Sequence, residues 1–121
     1  MGKAGLCYWL QAWEDGKGFV LHQSLGSFTE QHHAEVIAER ANRWTQVVEV
    51  NAKTNLRRVV YDNQRFTDPE GKVVLSRQCG RCLGKGYLRT NACGSCMGRG
   101  TVPDAPRGQW GALKVIPRGG A

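Results

Sequence analysis

Residues 79–86 read Cys79-Gly80-Arg81-Cys82-Leu83-Gly84-Lys85-Gly86, and residues 93–100 read Cys93-Gly94-Ser95-Cys96-Met97-Gly98-Arg99-Gly100. This is one pattern, C-x2-C-x-G-x-G, written twice with a 14-residue offset. Two intervening residues let both sulfurs of a pair face one ion, and two pairs supply the four thiolates that close a tetrahedral zinc site with Zn–S distances of about 2.3 Å. The glycines beyond each pair give backbone geometry that a Cβ would hinder. Cysteine fills every ligand position, so the pattern predicts one structural Zn2+ per chain on Cys79, Cys82, Cys93 and Cys96; a catalytic zinc keeps a position open for water or substrate. The competing readings are a thioredoxin-like redox pair or two disulfides, and the second copy with the same glycines favours metal over both. Between the pairs, Tyr87-Leu88-Arg89-Thr90 and an Asn91-Ala92 turn are expected to join the two knuckles as a β-hairpin.

The repeated pattern resembles the cysteine-rich zinc-binding region of the DnaJ co-chaperones, in which it occurs four times and holds two zinc ions. The resemblance covers about residues 79–102, and two copies imply one zinc. The sequence has no His-Pro-Asp loop of a J-domain and no obvious client-binding sandwich, so the resemblance does not imply a full co-chaperone. The paired, single-zinc form is also similar to the zinc module of the anti-TRAP type, which acts on an RNA-binding regulator, and to modules in some phage antitermination proteins. These relatives share a scaffold and differ in partner.

Charge gathers around this segment. Residues 1–56 carry five basic and six acidic side chains, whereas residues 57–121 carry twelve and four, so the net +7 of the 121-residue chain belongs to its second half. From residue 77 onward, Arg77, Arg81, Lys85, Arg89, Arg99, Arg107, Lys114 and Arg118 are opposed only by Asp104, a net of +7. Four thiolates on one Zn2+ contribute about −2, which leaves roughly +5 on the loaded segment. Such a field suits phosphate, so the expected partner is nucleic acid, DNA or RNA, or a nucleic-acid-handling protein. The residues expected to meet it are Arg77, Arg81, Lys85, Tyr87, Arg89, Arg99 and Trp110. The alternative is a protein–protein interaction module or inhibitor, anti-TRAP-like or chaperone-like, with no direct nucleic-acid contact; a third reading gives the charges only to solubility.

Upstream, the periodicity predicts an α+β body. Leu6–Trp13 and Phe19–Gln23 flank Glu14-Asp15-Gly16-Lys17-Gly18 as a hairpin. Trp9 and Trp13, four apart, share one strand face and are read as core, the alternative being an exposed aromatic patch for a partner, with His22 on the strand surface. Ser27 and Glu30 fit a capping box for a helix over about 29–43, whose apolar positions are Ala34, Ile37, Ala38, Ala41 and Trp44. On its charged face, Glu39–Arg43 attraction is expected to offset Glu35–Glu39 repulsion. Gln46–Val50 and Leu56–Tyr61 make a second hairpin, and Lys72–Leu75 a last short strand. Cys7 is read as a buried small hydrophobe.

The expected fold is thus α+β: a small antiparallel sheet with one helix, followed by a four-cysteine zinc-binding β-hairpin and a Gly/Pro-rich tail. The boundaries fall at 1–76 for the body, 77–102 for the zinc module and 103–121 for the basic tail. The run Gln109–Ile116 in that tail is read either as a strand returning to the sheet, with Trp110 and Ile116 buried, or as a flexible arm. The longest uncharged stretches are too short to cross a bilayer, so no membrane role is expected. The absence of a signal pattern and the clustered cysteines point to a cytoplasmic protein. His32 and His33 do not form an HExxH pattern, and no Walker loop, G-x-G-x-x-G or G-x-S-x-G occurs, so the expectation is a non-enzymatic regulator or adaptor, open to self-association.

Overall fold

The structure is a computed structural model that describes residues 5–21 and 27–117; His22 and Arg118 lie outside them. The chain begins with a hairpin of β1 (Leu6–Glu14) and β2 (Gly18–Leu21), in which Trp13 lies opposite Phe19. After α1 (Gln31–Arg40) come β3 (Thr45–Asn51) and β4 (Arg57–Asp62), which complete an antiparallel sheet ordered β2-β1-β3-β4. A bulge between Val47 and Val48 twists the β3–β4 pair.

Alternation along β1 decides which face meets the helix. Tyr8 and Leu10 point to α1 and pack with Ala34, Ala38 and Val47, while Phe28, Val60 and Tyr61 close the edge. Two alanines on the helix let it approach the sheet closely. The apolar stripe is narrower than expected, since Ile37 remains 39% exposed.

Four sequence expectations are corrected here. The helix spans Gln31–Arg40, and its N-cap is Glu30 with no side-chain cap hydrogen bond, so the Ser27–Glu30 capping box does not form. Glu39 bonds Tyr61 and Arg65 across the sheet edge instead of Arg43, which lies beyond the helix and pairs with Glu14 at 3.7 Å. Trp9 and Trp13 sit on the face away from α1, because Tyr8, Leu10 and Ala12 take the inward positions. Trp13 is stacked on Trp44, both rings contact Phe19, and Trp13 stays 41% exposed. Cys7 is half-buried.

A second sheet follows, ordered β10-β5-β6-β9, from β5 (Arg65–Thr67), β6 (Val73–Gln78), β9 (Thr101–Pro103) and β10 (Lys114–Val115). The cysteine segment leaves this sheet at the end of β6 and returns as β9, so Gln78 and Thr101 are paired across its base. Within the segment, β7 (Tyr87–Leu88) and β8 (Asn91–Ala92) form a two-stranded hairpin. Its turn is Arg89-Thr90, with Arg89 at φ 56°, so Asn91 and Ala92 are strand residues. The tail forms a 3-10 helix, Arg107–Ala112, and then β10 pairs with β5. Trp110 and Ile116 are half-buried, with the Trp110 indole donating to Ala105 O at 2.8 Å. The described residues are mostly β with one α-helix. Among the described residues, no helix is long and apolar enough to cross a membrane.

Candidate metal centre

The two copies of the sequence pattern fold into two matching knuckles. In each, the residue after the second cysteine, Leu83 or Met97, has φ 55° and turns the chain back toward the sulfurs. The Lys85 and Arg99 amides then close equivalent turns onto Cys82 O and Cys96 O. The Gly86 N–H donates to Cys82 Sγ at 3.3 Å, and the Gly100 N–H donates to Cys96 Sγ at 3.2 Å. Each knuckle also ties to the other, as Cys93 N–H donates to Gly86 O and Cys79 N–H to Gly100 O.

All four cysteines are buried, and their sulfurs lie within 4.8 Å of one another. Cys79 and Cys93 are 3.9 Å apart and Cys82 and Cys96 3.7 Å. A tetrahedron with Zn–S legs of about 2.3 Å has S–S edges of about 3.8 Å, so the cluster has the dimensions of a closed four-sulfur site. These distances also exclude S–S bonds, which require about 2.05 Å. The cysteines are free thiols positioned to hold one metal ion.

Electrostatics make the same point. The Cys96 N–H, and then the Ser95 N–H, lower the Cys93 thiol from 9.0 to about 7 against the opposing effect of burial. Burial pushes Cys96 up to about 12. The surroundings therefore favour a thiolate at Cys93 and oppose one at Cys96, and four thiolates at this spacing need a divalent cation among them.

The module rests on the sheet face that α1 leaves uncovered. The Val59 N–H donates to Gly84 O at 2.7 Å, and Gln78 Nε2 donates to Val59 O at 2.9 Å. A Cβ on Gly84 would stand 2.2 Å from Val59 O, and one on Gly100 2.8 Å from Gly84 O, so the repeated glycines permit docking as well as turning. Beside this contact lies a buried polar junction centred on Asp62. Its Oδ1 accepts from Trp44 Nε1 and the Gln64 amide, both at 2.8 Å. Its Oδ2 accepts from Gln46 Nε2 at 2.9 Å and Thr101 Oγ1 at 2.7 Å. Gln46 Nε2 also donates to Arg99 O at 3.0 Å, which links sheet, second sheet and knuckle in one network.

The seven residues expected to meet a partner fall in three places on the module. Arg77, Arg81 and Trp110 line a hollow beside Cys79, where Arg77 pairs with Asp104 at 3.6 Å and Arg107 lies over the Trp110 ring. Lys85 and Arg99 line a separate groove together with residues of β1 and β4. Tyr87 and Arg89 are exposed on the connecting hairpin. Sequence reasoning missed Asp62, Gln46 and Thr101, which orient the module, and it counted Arg57 only as charge. The available signal was the alternation Leu56-Arg57-Arg58-Val59, which puts Arg57 and Val59 on one face. Comparison with protein-family models, curated proteins and solved structures finds no match.

Proposed function

We propose that Cys79, Cys82, Cys93 and Cys96 hold one structural Zn2+ and that the chain is a non-enzymatic regulator or adaptor whose basic zinc module contacts nucleic acid, directly or within a nucleoprotein complex. The cluster's dimensions and its all-sulfur donor set support zinc, which when bound neutralises the thiolates and fixes the two turns. Four protein ligands leave no substrate position, which favours a structural site over a catalytic one. The likeness to the DnaJ zinc region, in its single-zinc form, fits this reading because each knuckle presents its intervening side chains outward.

The observation that carries the nucleic-acid reading is the charge of this metal-dependent segment: Arg81, Lys85 and Arg89 are exposed on a unit anchored by buried sulfurs. A segment so rich in glycine and poor in apolar side chains depends on metal for its fold, so these cations owe their fixed positions to it. The test is a salt titration of oligonucleotide binding by the zinc-loaded protein. Affinity should fall steeply with salt, and Arg81→Ala should weaken binding across sequences. Salt-independent affinity would refute it.

A second reading, docking to a protein, is favoured by one observation. Leu83, Tyr87 and Met97 on the module are 54%, 45% and 78% exposed. Pull-down partners that survive nuclease treatment and are lost in Met97→Asp would support it over the first.

A further inference from the structure

The sheet face opposite α1 is only partly covered by the zinc module. The remainder forms an open groove of about 460 Å³ between β1–β2 and the knuckles. Its floor combines Trp9, Phe19 and Leu21, brought to one face by the pairings Gln11↔Leu21 and Trp13↔Phe19, with the hydrogen-bonded amides of Gln11 and Gln46. Its rim is cationic, with Arg57 from β4 beside Lys85 from the first knuckle and Arg99 from the second. Lys85 and Arg99 occupy equivalent positions in the two repeats, so the repeat delivers two cations to the same groove. Among the described residues, neither Arg57 nor Lys85 forms an ion pair, and Trp9 makes no ring contact with another aromatic side chain.

We propose that this groove is a binding site for single-stranded nucleic acid, with unpaired bases against Trp9 and Leu21 and the sugar–phosphate backbone along Arg57, Lys85 and Arg99. The inference rests on the nucleic-acid reading above and deepens it by assigning a strand state and a site. Charge complementarity selects the occupant. An apolar floor alone would suit a hydrophobic peptide, but three cations at its rim favour a ligand that alternates flat apolar rings with negative charges. Duplex nucleic acid stacks its base faces out of reach and offers only backbone and base edges, so the aromatic floor gives a preference for unpaired strands. Phe19 is held by Trp13 and Trp44, with ring centroids at 5.3 and 4.7 Å, so this end of the floor is rigid.

The experiment is fluorescence anisotropy with the zinc-loaded full chain and a labelled mixed-sequence oligonucleotide, offered single-stranded as RNA, single-stranded as DNA and as a duplex, at low and moderate salt. The expected result is salt-sensitive binding with a preference for a single strand over the duplex. Trp9→Leu should reduce single-strand affinity about tenfold and erase that preference, leaving weak salt-sensitive binding to both forms. Lys85→Glu, at an exposed position that leaves the core intact, should weaken binding about tenfold, whereas Lys72→Glu, on the distant β5–β6 turn, should not. Equal affinity for strand and duplex, unchanged by Trp9→Leu and Lys85→Glu but reduced by Arg81→Glu, would overturn the groove while leaving the wider nucleic-acid reading intact. Absence of binding to every oligonucleotide at low salt would overturn both. Uptake of a nonpolar peptide in place of oligonucleotide would assign the groove to a protein partner and overturn the proposal.

Discussion

Gly84 and Gly80 stand four residues apart in the same knuckle, and their surroundings differ completely. Gly84 has φ +85° and faces Val59 O, whereas a Cβ on Gly80 would meet nothing within 4 Å. Gly84→Ala should therefore cost about 3 kcal/mol through left-handed strain and the clash, while Gly80→Ala should change stability by less than about 0.5 kcal/mol. Chemical denaturation of the zinc-loaded protein checks the contrast, and equal effects would mean that the module does not dock on β4 as described. The thiols give a pH prediction at the same scale. With metal present, protons compete for every sulfur, so acidification should release the ion with uptake of more than one proton. A chromogenic zinc indicator followed through an acid titration reads the release; full retention at about pH 4 would contradict it.

Among the elements, the strands were the most legible, because β-branched runs and turn residues mark β1, β2, β3 and β4 within a residue or two of where they lie. The cysteine ligands were legible for a different reason: spacing alone determines whether four sulfurs can converge. Three features were hidden. Arg65–Thr67 is too short for periodicity to show and becomes a strand only because β6 and β10 pair with it on either side. The helix lacks the capping bond its sequence suggested, since the chain enters it from the Tyr8↔Phe28 bridge. The Asp62 junction joins residues 46, 62 and 101, and no local pattern announces a contact at such separations. That junction is testable. Asp62→Asn presents an amide N–H2 to at least one pair of donors that now share a carboxylate, and should destabilise the protein by about 2–3 kcal/mol. Thermal or denaturant unfolding reads this loss, and a neutral substitution would show that the buried network does not orient the module.

At the scale of the whole molecule, two cores lie side by side. One, around Leu10 and Val47, is apolar and sits under the helix; the other consists of the four cysteines with Val102, against which Leu88 and Trp110 pack. The second core, whose four sulfurs are positioned to hold one metal ion, has sulfur where a larger domain would have hydrocarbon. The groove, the hollow beside Cys79 and the exposed cations of the knuckles all take their positions from it. Native mass spectrometry of the purified protein, with and without a chelator and followed by thiol alkylation, tests this most directly. The account predicts one zinc per chain, with Cys79, Cys82, Cys93 and Cys96 protected until the metal is stripped and reactive afterwards. A folded protein that carries no metal as isolated, or whose four thiols alkylate equally in both states, would contradict it.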